Sequence, residues 1–175
     1  MSGLALPIVT MSEAQAYVRI ETGEEEAVLA GLIRTASGLC EAFINQVVVA
    51  RPFECDLPSS SCWERLPITP VRSITDVAAV DPGGASTPLS SGTYSIDIDH
   101  SGDGWVRLGA VPSAGHLRVG GTAGMADDEN SVPEPIRQGV LRLVSHLFTD
   151  RDGEGAEPPA AVTALWRPYR RMRLS

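Results

Sequence analysis

The sequence contains no lysine, so all fourteen of its basic residues are arginine. It has only three cysteines, Cys40, Cys55 and Cys62. An odd number argues against a disulfide scaffold and suits a reducing cytoplasm. The longest uninterrupted apolar run, residues 27–33, is far shorter than the roughly twenty residues of a membrane-spanning helix. No basic stretch precedes the first apolar residues, and Pro7 interrupts them. We therefore expect neither a transmembrane helix nor a secretory signal.

Acidic residues outnumber basic ones, and the two kinds are unevenly distributed. The formal net charge is −8. Residues 1–158 hold all 22 acidic residues and ten arginines, whereas residues 159–175 hold four arginines and no acid. A nucleic-acid reader shows a basic face, which this body lacks. The charge pattern predicts a body that avoids DNA and a basic tail that binds an acidic or polar partner.

Length and composition indicate a single domain with a buried core. The chain has 175 residues, of which 43% are hydrophobic and 21% charged. Two helices are predicted near the start: residues 11–20, with Thr10 and Glu13 in capping-box spacing, and a longer helix that Thr22 caps and that runs to about Asn45. Steps of three and four between apolar residues make the second helix amphipathic: Leu29, Leu32, Ile33, Ala36, Leu39, Cys40 and Phe43.

The middle of the chain has a different pattern, with short β-branched runs between turn-forming residues. Five strands without intervening helices predict an antiparallel sheet or a small barrel: residues 47–57, 72–80, 93–98, 104–109 and 116–123. Helix returns after Pro133 and runs to about Arg151, with Gly139 inside it as a sign of close helix packing. A last short helix is predicted over 160–169.

The predicted fold class is α+β: a helical bundle with an inserted antiparallel β-sheet or small barrel and a C-terminal tail helix. We assign residues 10–45 and 132–169 to the helical part, residues 46–125 to the β insertion and residues 160–175 to a C-terminal docking tail. All of these lie in one predicted domain, residues 1–175.

Two segments superficially resemble ligand-binding loops. Asp97 to Asp103 matches the start of a calcium loop, but its twelfth position holds Leu108 instead of a bidentate glutamate. A β-hairpin turn is the preferred interpretation, and a small calcium-binding module or enzyme that uses this loop is the alternative. The glycine-rich run 120–124 lacks the lysine and the spacing of a phosphate loop, which favours a strand end.

No catalytic constellation is predicted, and neither a cofactor nor a metal is expected. Cys55 and Cys62 are seven residues apart, and His100 and His116 lie far downstream, which does not fit the spacing of structural zinc ligands. No nucleophile elbow of the G-x-S-x-G type occurs in the chain.

The C-terminal segment is the candidate binding site. Trp, Tyr and Arg are the residues most enriched at binding hot spots, and a frayed, soluble tail has little reason to carry two aromatic residues. The candidate docking residues are Leu165, Trp166, Arg167, Pro168, Tyr169, Arg170, Arg171, Met172, Arg173 and Leu174.

The order of these motifs resembles one known family along nearly the whole chain. The matching text is SEAQAYVRIETGEEEAVLAGLIRTASGLCEAFI, LPITPVRSITDVAAVDPGG, the strand at Tyr94–Asp97, VGGTAGM, VPEPIRQGVLRLVSHLF and VTALWRPYR. It is similar to the head-to-tail connector (adaptor) proteins of tailed bacteriophages, the gp6-like group, which includes the adaptors of gene transfer agents. Ser37-Gly38 and Met125 depart from the family pattern and could alter subunit contacts.

This resemblance implies a non-enzymatic ring of typically twelve copies in the neck of a particle, made in the bacterial cytoplasm. The ring would lie beneath the portal protein and above a stopper or tail protein, with the C-terminal segment in the clip of the portal. DNA would pass through the lumen without sequence-specific binding. Another neck or tail-completion protein, such as a stopper, is the alternative within the same class.

Overall fold

The chain divides into two compact units that alternate along the sequence. The computed structural model describes residues 5–20, 25–110, 115–149 and 158–172. One unit, here called the β unit, comprises residues 50–124. The other, the helical unit, is built from the residues on either side, 4–49 and 125–175. The α+β fold class predicted from the sequence is confirmed, whereas the single domain over residues 1–175 stays a prediction.

Four helices form the described part of the helical unit: α1 (Met11–Val18), α2 (Glu26–Ile44), α3 (Glu134–Thr149) and α4 (Ala160–Trp166). Thr10 caps α1, and the capping box with Glu13 is confirmed, since the Thr10 hydroxyl accepts from the Glu13 N–H at 3.2 Å. Asn45 ends α2 in the left-handed conformation, with φ of 55°. Thr22, the predicted cap of α2, lies outside the described residues.

The core of the helical unit is formed by one face of each long helix. From α2 and α3 the buried residues are Leu29, Ile33, Ala36, Ser37, Cys40, Ile44, Ile136, Gly139, Val140, Leu141, Leu143 and Val144. Of the predicted α2 stripe, Leu32, Leu39 and Phe43 are only partly buried. Ser37 is buried because its hydroxyl accepts a hydrogen bond from the backbone N–H of Ile8, at 3.1 Å.

Helix α2 passes a test that the length of uninterrupted apolar runs did not reveal. Its 19 residues are long and apolar enough to cross a membrane, by length and composition only. The apolar run of residues 27–33 ends at Arg34, but the residues after Arg34 are mostly apolar or small, so the helix as a whole stays apolar. A single helix of this kind is weak evidence, since the core helix of a soluble protein passes the same test, and α2 buries one face within its unit.

Seven strands form the described part of the β unit, all in antiparallel pairs. They are β1 (Arg51–Pro58), β2 (Glu64–Arg65), β3 (Val71–Val80), β4 (Ser86–Pro88), β5 (Tyr94–Ile98), β6 (Gly104–Leu108) and β7 (His116–Ala123). The five predicted strands are present; β2 and β4 are too short to leave a periodic signal. The first strand begins later than predicted, because Val49 belongs to the helical unit, where it forms a parallel bridge with Ala126.

The β unit contains two open sheets, so the small barrel offered as an alternative was wrong. One sheet has the order β1-β7-β3-β4 and the other β2-β6-β5, and no closed barrel occurs among the residues described. The edges of the larger sheet explain why it stays open. Edge strand β1 carries Pro52 and Pro58, and the opposite edge β4 ends at Pro88. Because proline has no N–H to donate, these edges resist further pairing.

The glycine run 120–124 starts within β7, as the sequence reading favoured. A Cβ atom on Gly121 would lie 2.1 Å from the backbone oxygen of Ser73 on β3. Glycine is required here because the neighbouring strand, which has register shifts at this point, passes too close for a side chain.

Candidate docking segment at the C-terminus

The candidate docking residues lie on α4 and on the 3-10 turn that follows it, Arg167–Tyr169. Proline marks both starts: Pro159 occupies the cap position of α4, and Pro168 sits at the beginning of the 3-10 turn. Val162 and Trp166 are the buried residues of α4. Helix α4 therefore packs into the helical unit through one face.

Trp166, one of the predicted docking residues, lies in the core of the helical unit. Its side chain is 0% exposed. The indole Nε1 donates to the carbonyl oxygen of Ile136 at 3.2 Å, and the ring lies 5.9 Å from that of Phe43, centroid to centroid. Because its apolar surface and its one polar atom are satisfied inside the chain, the indole offers no surface to another protein.

The residues after α4 are tied to the end of α2. The backbone oxygen of Tyr169 accepts from Gln46 Nε2 at 2.6 Å, and the backbone N–H of Arg171 donates to the carbonyl oxygen of Ile44 at 2.9 Å. The guanidinium of Arg170 lies over the ring of Phe43, 5.4 Å from its centroid, in the range of a cation–π contact. Residues 167–171 are thus held against the helical unit.

The other part of the C-terminal segment is exposed and can contact a partner. Arg167, Pro168, Arg170 and Met172 are exposed, and Met172 is the most exposed large apolar residue described, at 84%. Leu165, Tyr169 and Arg171 are half-buried. Arg173 and Leu174, also in the predicted docking set, lie outside the described residues. Portal binding by this segment stays a prediction.

The Asp97–Asp103 segment forms a β-hairpin between β5 and β6, as the sequence reading preferred. Asp99 organises the turn: its carboxylate accepts from the backbone N–H groups of Ser101 at 2.8 Å and Asp103 at 3.0 Å. The Asp103 carboxylate pairs with Arg65 Nη2 at 2.6 Å and accepts from Thr69 Oγ1 at 3.0 Å. Both carboxylates are used by the fold, which is the common role of aspartate in turns.

Hydrogen bonds hold the pKa of Asp99 below its ordinary value. The main cause is the backbone N–H of Asp103, with further contributions from the Trp105 indole and the N–H of Ser101. No group of three or more His, Cys, Asp or Glu side chains placed to hold a metal occurs in the part of the chain that the structure describes.

Two of the three cysteines, Cys40 and Cys55, are buried, and Cys62 is exposed. Burial raises the pKa of the Cys55 thiol to about 11 and, with Glu41 adding to the effect, raises the pKa of Cys40 further. The thiolate is the form that attacks electrophiles and binds metals. Burial therefore disfavours the reactive form of Cys40 and Cys55 at neutral pH.

A surface on α2 was missed by the sequence reading, which considered only the apolar stripe that it assigned to the core. Val28 is 45% exposed, and Thr35 and Ala42 are exposed. The signal was present in the sequence as two glycines, Gly31 and Gly38, spaced seven residues apart within a helix. Seven residues is two helical turns, which places both on one side.

The arrangement defines an α+β protein whose helical unit is interrupted by a β unit. No family profile and no curated protein matches the sequence. Chains with this fold occur in solved structures of gene transfer agent (GTA) particles. A chain in the neck of an empty particle, computed with C6 symmetry, has a TM-score of 0.80 and 24% identity, over 100% of this chain and 96% of that chain.

Two further structures have the same coverage, 100% of this chain and 96% of the other. A chain in the virion of the native particle has a TM-score of 0.79 at 23% identity. A chain in the neck of the native particle, computed with C12 symmetry, has a TM-score of 0.77 at 23% identity. At these identities the likeness establishes the fold.

Proposed function

We propose that this chain is a structural adaptor in the neck of a gene transfer agent or tailed phage particle, where a ring of copies links the portal to the stopper or tail. The observation that carries this function is the full-length likeness to chains of GTA neck structures, over 100% of this chain and 96% of the other. Coverage of this kind means that the likeness includes both the helical unit and the β unit. The adaptor is a non-enzymatic protein that needs no cofactor.

The ring has twelve copies. In support, the neck structures that share the fold are computed with C6 and C12 symmetry, and symmetric closure is the usual form of a homo-oligomer. The formal charge of −8 per chain suits a wall along which DNA moves. An acidic lumen repels phosphates and opposes the non-specific binding that basic surfaces promote.

The portal contact is made by the exposed part of the C-terminal segment. Arg167 and Met172 are exposed there, and the four arginines of residues 159–175 are not offset by any acid. Arginine pairs bidentately with carboxylates and is favoured at interfaces. Trp166 positions this segment from inside the helical unit and does not itself contact the portal.

The test is to tag the chain in cells that make the particle, purify particles, and measure its copies by quantitative mass spectrometry and its neighbours by cross-linking. We expect twelve copies, the number of a C12 neck, and cross-links from residues 167–172 to the portal. Absence of the chain from particles would contradict the neck assignment. Cross-links to tail proteins without any to the portal would assign the chain as a stopper or tail-completion protein instead.

A matched pair of variants separates portal binding from folding. Arg167→Glu combined with Met172→Glu changes two exposed side chains, and the control Arg142→Glu changes an exposed residue of α3. We expect the double variant to unfold at the wild-type temperature and to give DNA-filled heads without tails. The control should support normal particles. Normal particles from the double variant would remove the C-terminal segment from the portal contact.

A further inference from the structure

Helix α2 has a second face, on the side opposite its buried residues, that the described residues leave largely uncovered. We call it the outward face of α2, and it consists of Val28, Gly31, Thr35, Gly38 and Ala42. These positions recur at steps of three and four. Val28, Thr35 and Ala42 are exposed, and Gly31 and Gly38 are half-buried.

Two glycines within this face have no steric explanation among the residues that the structure describes. A Cβ atom on Gly31 or on Gly38 would meet nothing within 4 Å. Glycine inside a helix weakens it relative to alanine, because glycine loses more conformational freedom on folding. At Gly139 a neighbouring side chain explains the residue, whereas the open positions at Gly31 and Gly38 suit close approach by another molecule.

The outward face is also uncharged in a strongly acidic chain. The three charged residues of α2 are Glu26, Arg34 and Glu41, and helical spacing places all three off this face. Copies that each carry a net charge of −8 repel one another wherever their carboxylates meet. A stripe without charges is a surface on which two such copies can approach closely.

We propose that the outward face of α2 packs against a second copy of this chain and forms one side of the subunit contact in the ring. This inference rests on the proposed function, in which the chain is one of several copies around a symmetry axis. A ring contact is heterologous, meaning that each subunit offers two different surfaces. The counter-surface is therefore a part of the second copy other than α2.

The dimensions of the face imply that the contact is weak in isolation. A 19-residue helix is about 28 Å long at 1.5 Å per residue. One face of such a helix covers less than the roughly 800 Å² per partner of a stable interface. Free chains in dilute solution are accordingly monomeric, and the contact forms when a particle holds neighbouring copies at high effective concentration.

The test uses a variant that improves the helix while blocking close approach, Gly31→Leu with Gly38→Leu. Because leucine favours helix over glycine, we expect the purified variant to unfold at or above the wild-type temperature. Overpacking at the contact should lower its copies per particle about tenfold. The matched control is Gly92→Leu in the β unit, another glycine with nothing within 4 Å of its Cβ position, which should join particles as the wild type does.

A milder pair, Gly31→Ala with Gly38→Ala, guards against misfolding of the leucine variant. It should raise the unfolding temperature and still lower the copies per particle, since each added methyl separates the two surfaces. Normal incorporation of both pairs would overturn the α2 contact while leaving the neck function in place. Wild-type protein that is absent from particles would overturn both. Flotation of the wild-type chain with phosphatidylcholine vesicles would overturn the contact in favour of a lipid occupant.

Discussion

Gly139 of α3 and Trp166 of α4 lie so close together that position 139 has no room for a side chain. A Cβ atom on residue 139 would lie 2.1 Å from the indole Nε1 of Trp166 and 2.8 Å from Cε2. The missing side chain brings the indole against α3, where its N–H reaches the carbonyl oxygen of Ile136. This contact fixes α4 to the helical unit and decides which residues of the C-terminal segment remain exposed.

Gly139→Ala should destabilise the protein even though alanine is the better helix former. The helix gains about 1 kcal/mol from alanine, but the methyl group overlaps the indole, and overpacking typically costs about 1–3 kcal/mol, more when the neighbours cannot move. Trp166 is fully buried and has little room to shift. We expect a lower free energy of unfolding in urea titrations.

Gly38→Ala is the matched control for that substitution. Its Cβ position is open, so the variant should gain up to about 1 kcal/mol in the free energy of unfolding. Equal effects of the two substitutions would mean that the indole does not lie against Gly139.

Removing residues 160–175 should unfold the helical unit, whereas the sequence reading expected a separable tail. The deletion takes away Trp166, and Trp166→Ala alone is expected to cost about 3–5 kcal/mol, as core tryptophan truncations do. A chain that ends at Arg171 keeps α4 and its contacts with α2 and should remain folded. Near-ultraviolet circular dichroism distinguishes the two. A native spectrum after deletion of 160–175 would show that the helical unit folds without this segment.

Acid should destabilise the β unit partly through Asp99. Hydrogen bonds lower the pKa of this carboxyl in the folded state, so its contribution to stability is present above its unfolded pKa of about 3.9. That contribution is lost as the pH falls below about 4, through the lower folded-state value. Asp99→Asn should therefore flatten the dependence of the unfolding temperature on pH between about 5 and 3.

Asp97→Asn, an exposed position of β5, is the control and should keep the wild-type pH dependence. Calcium at millimolar concentration should leave the unfolding temperature of the wild type unchanged. A rise in that temperature that disappears in Asp99→Asn would support a calcium-binding module.

Arg137 should contribute to stability by joining α3 to α1. Its guanidinium pairs with Glu13 of the α1 capping box and donates to the carbonyl oxygen of Glu129 at 3.1 Å. The Arg137 side chain is only 14% exposed, so Arg137→Met leaves partly buried acceptors without their donor. We expect a loss of about 1–3 kcal/mol in the free energy of unfolding.

Arg142→Met, at an exposed position of the same helix, is the control for Arg137→Met and should change the free energy of unfolding by less than about 0.5 kcal/mol. Similar losses in both variants would show that the ion pair with Glu13 does not hold α1.

Local patterns predicted most of the elements because their signals lie within a few residues. The capping box at Thr10 and Glu13 marked the start of α1, and β-branched runs between turns marked five of the seven strands described. The strands β2 and β4 had no such signal, since two or three residues are too few for a period. Their pairing depends on which longer strands they meet, β6 and β3.

The candidate site was predictable only in part. The composition identified the C-terminal segment as rich in residues that are common at binding sites. Partner binding by its exposed arginines remains a proposal. Composition could not tell whether Trp166 meets a partner or the chain itself, because buried cores and interface hot spots favour the same side chains. On α2 the predicted stripe does reach the core, although three of its residues, Leu32, Leu39 and Phe43, are only partly buried against it.

The sequence by itself determined the α+β class, the order of the helices and strands, and the acidic body with its arginine-rich end, because capping, periodicity and charge are local or additive properties. Only the tertiary structure decided that the sheets stay open, that Trp166 belongs to the core and that Gly31 and Gly38 face outward. Those outcomes depend on which surfaces meet across more than a hundred residues, as Gln46 meets Tyr169. Close packing is a property of both partners together, and neither partner's sequence specifies it alone.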